Sequence, residues 1–405
     1  MRLAIINWSN RKVGGAEKYL ADVIPELAKL GHTVAFWHEV DEPLERERIA
    51  LPDGAPMWCV SELGAARALA ALRAWEPDLI YAHGLLDPEL EAETMRLAPS
   101  VFLAHAYYGM CISGTKTFKS PNVEPCDRRF GLKCLAHYYP RRCGGLNPLT
   151  MWSDFRTQSK RLKLLQSYDA VLTLSEHMRN ECLKHGIIAE RAFDLPALKS
   201  PLETQADSAT TELRARDAWR LLFVGRMDFL KGGHLLLEAL PQVQSTLART
   251  LRVTFAGDGP ERKSLEAQAA RLQSSAQLRI DFTGWVDRAR LDALLEETDL
   301  LVFPSLWPEP FGLIGPEAGT HGVPVAAFAS GGTRDWLIDG VNGYLAAGDP
   351  PTAEGLAQAM IKCLRSPAVH QSLRHRAREI AGRFTQRNHL TALSHIFEQV
   401  LEGRV

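Results

Sequence analysis

Glu309-Pro310-Phe311-Gly312-Leu313-Ile314-Gly315-Pro316-Glu317 follows the apolar run at 300–304 and opens a helix near Gly315. An apolar run of strand length, a glycine-punctuated turn and a helix start read as a strand–loop–helix junction. Such a junction is an anion site: free backbone N–H groups and the positive end of the helix dipole face whatever sits above the sheet. Gly312 and Gly315 allow close approach to the backbone. Two carboxylates frame the junction, and a carboxylate accepts readily from hydroxyls. Glu317, in the first helical turn, suits a ribose; Glu309, before the turn, suits the hydroxyls of a sugar. The same pair would also complement a helix dipole with no ligand at all, so the neighbouring loops decide.

A second junction of the same build supplies cations. Gly225-Arg226-Met227-Asp228-Phe229-Leu230-Lys231-Gly232-Gly233 follows the strand-like run 220–224. Arg226 can fork onto two phosphate oxygens, and Lys231 can place a compact charge beside them. Either residue alone reads as part of a solvated loop. Together with the Glu309 and Glu317 junction, at strand ends of one sheet, they read as a site for a sugar carried on a diphosphate. Two further glycine turns close neighbouring strands: Gly257-Asp258-Gly259-Pro260, and Gly284-Trp285-Val286. Backbone groups there can hold a nucleobase, with Gly257, Trp285 and Val286 as the candidates, although both are also ordinary turn chemistry.

Apolar runs alternate with helical stretches along the whole chain, which is the pattern of parallel sheets covered on both faces. Strands are expected at 3–8, 33–37, 79–82, 101–105 and 170–174, then at 220–224, 252–256, 279–283, 300–304 and 323–327. The fold class is α/β, with two doubly wound, Rossmann-like domains. A chain of 405 residues suits two domains better than one. The boundary is expected within 194–211, where prolines and Ser, Thr, Asp and Glu replace periodicity. That gives domains at 1–200 and 201–383, and a final helix at 384–405 with Leu390, Leu393, Ile396, Phe397, Val400 and Leu401 at helical spacing.

Hydrophobic residues make up 46% and charged residues 23% of the chain, a globular composition. The net charge of −1 provides no global field for nucleic acid, which is not an expected partner. No run approaches the ~20 apolar residues of a spanning helix, and the first 15 residues lack a secretory apolar run, so a cytoplasmic protein is expected.

Near the start, Val13-Gly14-Gly15-Ala16-Glu17 sits between the first strand and a helix reaching Leu30. Gly14 and Gly15 can bring N–H groups toward phosphates, or form a plain tight turn. This is not a GxGxxG fingerprint, and hydride chemistry is not indicated. The segment 109–146 interrupts the alternation after the strand that ends at His105. It carries Cys111, Cys126, Cys134 and Cys143 among Lys116, Lys119, Arg128, Arg129, Lys133, Arg141 and Arg142. Three explanations stay open for the cysteines: a structural zinc site, disulfides, or reduced buried thiols. The basic residues, with Lys160, Arg161 and Lys163, suit an anionic acceptor or a membrane surface, or a solvated face.

The order of these pieces resembles glycosyltransferase family 4, retaining enzymes of the GT-B fold, over most of the chain. The motifs that carry it are the Gly14–Gly15 loop, His105 at a strand end, Arg226 and Lys231 in their loop, and the Glu309 and Glu317 pair. The resemblance implies two domains facing a cleft and a final helix that returns to the first domain. It also implies a nucleotide diphosphate sugar, UDP- or GDP-linked, as donor. By the match, Arg226 and Lys231 hold the diphosphate, Glu317 the ribose and Glu309 the transferred sugar. Backbone groups of Phe311, Gly312, Leu313 and Ile314 touch the donor, and His105 contacts its sugar. His105, Arg226, Lys231 and Glu309 are then the catalytic set. The implied reaction is transfer with retention by a front-side route to a saccharide or lipid-linked acceptor, in cell-surface polysaccharide or glycan synthesis. An epimerase or a non-catalytic binding protein of the same fold is the alternative. No two Asp residues stand one residue apart, so the Asp-X-Asp metal motif is missing and no cofactor is expected.

Overall fold

The computed structural model describes residues 1–197, 218–272 and 277–404. The greater part of the expected boundary segment, from residue 198 onward, lies outside them. Contacts divide the chain into two compact units. Unit 1 is Met1–Thr115, Arg128–Pro201 and Thr385–Val405; unit 2 is Lys116–Asp127 and Leu202–Phe384.

In chain order the strands that begin unit 1 are β1 (Arg2–Ser9), β2 (Thr33–Val40), β3 (Met57–Cys59), β4 (Leu79–Ala82) and β5 (Ser100–Leu103). A two-stranded hairpin follows, β6 (Thr117–Phe118) and β7 (Glu124–Pro125), and then β8 (Ala170–Thr173) and β9 (Ala192–Asp194) complete the first sheet. That sheet is parallel, in the order β3-β2-β1-β4-β5-β8-β9. Unit 2 holds β10 (Ala218–Val224), β11 (Thr250–Ala256), β12 (Leu278–Gly284), β13 (Leu300–Phe303), β14 (Val325–Phe328) and β15 (Gly343–Ala346). They form a parallel sheet in the order β12-β11-β10-β13-β14-β15. In both sheets the order reverses beside the first strand, which is the doubly wound topology. The central strands β4, β5, β8, β13 and β14 are buried at every position, as continuous apolar runs between two helical layers must be.

Leu390, Leu393, Ile396, Phe397 and Val400 of the last helix, Gln386–Leu401, pack into the core of the first sheet beside Leu3, Ile5, Tyr81 and Val101. A helix joins a core remote in sequence when its apolar stripe has no other cover. Leu401 is exposed, so the stripe stops at Val400.

The segment 109–146, read from sequence as one insertion in the first half, is divided by the structure. Its hairpin, β6 and β7, belongs to unit 2, where Val123 packs against the core. The flanking residues stay with unit 1. No helix among the described residues is long and apolar enough to cross a membrane.

Candidate active site

The loops at the carboxyl ends of β10, β11, β12 and β13 are fastened to one another. Gly225 N–H donates to Ala256 O at 3.0 Å, Met227 N–H to Asp258 O at 2.8 Å and Gly257 N–H to Gly284 O at 2.8 Å. Leu306 N–H donates to Leu230 O at 2.7 Å, tying the loop after β13 to the loop after β10. Gly257 has φ 137°, and a side chain there would meet the Gly225 carbonyl oxygen at 2.0 Å, so only glycine lets these strand ends close. The closure spends the Gly257 N–H on Gly284. A base-binding role for that residue is therefore left to its other atoms.

Two proposed donor ligands meet here. Lys231 Nζ lies 2.6 Å from Glu309 Oε1 and 5.1 Å from the centroid of the Trp307 ring. Ser305 Oγ donates to the same Glu309 oxygen. Glu309 is 5% exposed, so its charge is buried but paired and hydrogen-bonded, which is the tolerable case. Glu309 Oε2 has no partner among the described residues. Arg226 is exposed and its side chain makes no contact with a charged partner among the described residues.

The helix Ile314–Thr320 starts one residue before the Gly315 expected from sequence. Its start has no side-chain cap, and the N–H groups of Leu313 and Ile314 carry no partner among the described residues. Four N–H groups at a helix start lack intrahelical acceptors, so such a start presents open donors. Phe311 is buried with its carbonyl accepting from Trp336 Nε1 at 2.6 Å. Trp336 also fills the space beside Gly312 and Gly315. A side chain at Gly315 would come within 2.1 Å of that ring.

Glu317, 5% exposed, is held by a residue that the sequence reading overlooked. Arg288 Nη1 lies 3.1 Å from Glu317 Oε1, while Arg288 Nε reaches Asp292 at 2.9 Å. Arg288 opens the helix Arg288–Glu297 just past Trp285 and Val286, and its buried Nη2 has no partner among the described residues. Trp285 is 56% exposed at this rim and Val286 is partly buried. The turn Ser330-Gly331-Gly332 after β14 was also overlooked. Gly332 N–H donates to Glu309 O at 2.8 Å, and a side chain at Gly331 would strike the Glu309 backbone at 2.4 Å. The glycine pair was the available signal.

In unit 1, Gly14 and Gly15 are exposed. Gly14 N–H is taken by Glu17 Oε2 at 2.9 Å, and Glu17 Oε1 accepts from Trp8 Nε1 at 2.8 Å. The Glu17 carboxylate thus caps its own helix, and the Gly14 N–H is not open to a phosphate. His105 lies two residues beyond the end of β5, on the loop. Its Nε2 is 2.8 Å from His83 Nδ1, and burial pushes its pKa down to about 4. Tyr19 packs edge-on against it at 5.5 Å.

Cys111, Cys126, Cys134 and Cys143 form no disulfide among the described residues. No group of three or more His, Cys, Asp or Glu side chains among the described residues could hold a metal ion. Cys126, just after β7, is assigned to unit 2 and the other three cysteines to unit 1.

Residues 13–193 match the model of the family described as Glycosyltransferase Family 4, and residues 207–382 match Glycosyl transferases group 1. Glycogen synthase of Mycobacterium tuberculosis is 28% identical, over 100% of this chain and 96% of that protein. D-inositol 3-phosphate glycosyltransferase of Xylanimonas cellulosilytica is 31% identical over 52% of this chain and 50% of that one. Among solved structures, sucrose-phosphate synthase of Thermosynechococcus elongatus superposes with a TM-score of 0.68 at 20% identity, covering 99% of each chain. Anabaena HepE, solved with UDP and glucose, gives 0.67 at 19%, covering 98% of this chain and 99% of that one. Two family models in series over two doubly wound units place the chain among the family 4 glycosyltransferases, nucleotide-sugar-dependent enzymes of the GT-B fold.

Proposed function

We propose that this glycosyltransferase transfers a sugar with retention of anomeric configuration, from a UDP- or GDP-linked donor and without a catalytic divalent ion. The observation that carries the reading is the convergence, at one sheet end, of exposed Arg226, Lys231, the unpartnered N–H groups of Leu313 and Ile314, and two buried glutamates. Two cations and a helix start can balance a leaving diphosphate, which is the charge a metal would otherwise neutralise. Glu317, clamped by Arg288, takes the ribose. Glu309, with Oε2 open, takes a hydroxyl of the transferred sugar. Phe311 and Gly312 shape the turn, and Gly257, Trp285 and Val286 border the base. Of the unit 1 candidates, His105 is proposed to contact the sugar and Gly15 the phosphates, while the Gly14 N–H is already spent on Glu17.

HepE, whose fold this chain shares, was solved with UDP and with UDP-glucose, which favours UDP as the base carrier. The acceptor is a saccharide or a lipid-linked saccharide. Residues 128–163 carry nine Lys and Arg against one acidic residue, Asp154, and Leu132, Leu146, Leu149 and Trp152 are more than half exposed there. A basic surface with exposed apolar residues suits an anionic acceptor presented at the inner face of a membrane.

The experiment is a thermal-shift panel of UDP, GDP and ADP sugars, since a tight donor stabilises the fold by mass action. It is followed by transfer with and without chelator and by NMR of the product's anomeric centre. A UDP- or GDP-sugar is expected to stabilise, and retained transfer to persist in chelator. Isomerised donor without net transfer would replace the reading by an epimerase, and an inverted product would remove retention.

A further inference from the structure

His83 closes β4 and His105 follows β5, so neighbouring strands bring the two rings together. They stack with centroids 5.1 Å apart, and His83 Nδ1 lies 2.8 Å from His105 Nε2. Tyr81 packs edge-on at 4.4 Å from the His83 ring and Tyr19 at 5.5 Å from the His105 ring, so neither imidazole is free to turn. The remaining nitrogen of His83, Nε2, is buried with no hydrogen-bond partner among the described residues. The remaining nitrogen of His105, Nδ1, makes no hydrogen bond among the described residues and is not fully buried.

Burial pushes both pKa values down, His83 well below its usual value, so each ring is neutral and carries one N–H. Two arrangements satisfy the shared bond. If His105 donates, His83 must hold its proton on Nε2, which buries an N–H with no acceptor. If His83 donates from Nδ1, only a lone pair is left unpaired at Nε2. An orphaned buried N–H is the rarer and costlier of the two.

We propose that His83 is a positioning residue: it donates from Nδ1 to His105 Nε2 and so fixes His105 as the Nδ1–H tautomer, which can only donate, not accept, at its open nitrogen. A donor group aimed at a sugar hydroxyl or ring oxygen holds that oxygen's lone pair, and it does not withdraw a proton. Toward the reaction this rests on the reading that His105 faces the transferred sugar; the tautomer itself does not.

The test reads ring nitrogen shifts by long-range 1H–15N NMR of the whole protein, with kinetics of His83→Phe and His83→Asn. In the wild type His105 Nδ1 should show a protonated shift and Nε2 an acceptor shift. His83→Phe should scramble that assignment and lower kcat by about tenfold, the worth of one hydrogen bond, with nucleotide affinity unchanged. His83→Asn, which keeps an N–H near the Nδ1 position, should restore most of it. Protonation of His105 at Nε2 in the wild type, or equal losses in both variants, overturns the proposal. If His83→Phe does not fold, the wild-type spectrum and His83→Asn decide. Unchanged transfer in His105→Ala, with the tautomer as stated, would remove the role in the reaction but not the positioning.

Discussion

Lys231 and Glu309 form an ion pair of 2.6 Å at the mouth of the unit 2 sheet, and only one oxygen of the carboxylate is used. Lys231 Nζ and Ser305 Oγ converge on Oε1, leaving Oε2 open. Under the proposed function the pair aligns two tasks: the ammonium is held for a diphosphate oxygen, and the carboxylate keeps an oxygen for the sugar. Lys231→Ala should lower turnover by about 100- to 1,000-fold, the usual loss for one pre-organised charge-stabilising donor. The fold should survive with a loss of stability, because Ser305 still donates to the buried Glu309 carboxylate after its cation is removed. Steady-state kinetics with saturating donor checks this, and near-normal turnover would sink the assignment.

Under the proposed function, Arg288 acts on the donor through Glu317, which it holds at 3.1 Å. Arg288→Ala removes one partner of a buried carboxylate, and a charge-assisted hydrogen bond is worth about 1.5–3 kcal/mol. The expected outcome is a rise of at least tenfold in the donor KM and in the Kd for the free nucleotide diphosphate, with kcat changed little. Calorimetric titration of the nucleotide separates the two parameters. A fall in kcat alone would mean that Arg288 serves the chemistry.

The strand–loop–helix junctions were legible because buried parallel strands leave unbroken apolar runs and glycine marks the turns. Every expected strand was found. Those not expected are β3, β9, β15 and the β6–β7 hairpin, of two to four residues each, too short for a periodicity to register. The strand expected to reach His105 stops at Leu103. Arg288 and Trp336 were missed for a different reason. Their parts depend on which loop lies beside which, and neither has a local pattern. Gly14 differs: its N–H is spent on Glu17 three residues on, a capping-box spacing that the sequence does show. The pairing of Lys231 with Glu309, 78 residues apart, has no trace in spacing.

Gly315 has no room to grow. Its added Cβ would sit 2.1 Å from the Trp336 ring, and Trp336 in turn holds the Phe311 carbonyl. Gly315→Ala should destabilise unit 2 by roughly 1–3 kcal/mol, the usual cost of overpacking, and weaken nucleotide binding. Adding Trp336→Leu should give back part of the stability, although not the Phe311 hydrogen bond. Urea midpoints of the two single variants and the double variant form the cycle, and simple additivity would show that the ring is not the obstacle.

Vesicle co-sedimentation tests the basic surface. Binding to vesicles rich in phosphatidylglycerol should exceed binding to phosphatidylcholine vesicles, and added salt should weaken it. Leu149→Ser with Trp152→Ser should weaken binding even at low salt, because the exposed apolar side chains would enter the interface. Loss only on reversing Arg141 and Arg142 would point to a soluble polyanion instead.

Acid should loosen unit 1 through its buried imidazoles. Burial lowers the pKa of His105 and of His389 to about 4, and His389 sits between Tyr19 OH at 2.9 Å and the Pro196 carbonyl at 2.6 Å. Unfolded histidine titrates near ~6.5, so between pH 6.5 and 4 the unfolded chain binds protons that the folded chain refuses. Their contribution is complete above pH ~6.5 and is lost as pH falls toward 4, at up to about 1.4 kcal/mol per pH unit for each histidine. Buried Glu91 and Glu39, whose pKa values burial raises, push the other way, since protonation relieves them. The raw stability profile mixes the two. The decisive quantity is the difference between wild type and His389→Gln, which keeps an N–H for the Pro196 carbonyl but cannot titrate. Urea midpoints from pH 7.5 to 5 should fall less steeply in the variant, and parallel profiles would show that His389 does not carry the acid sensitivity.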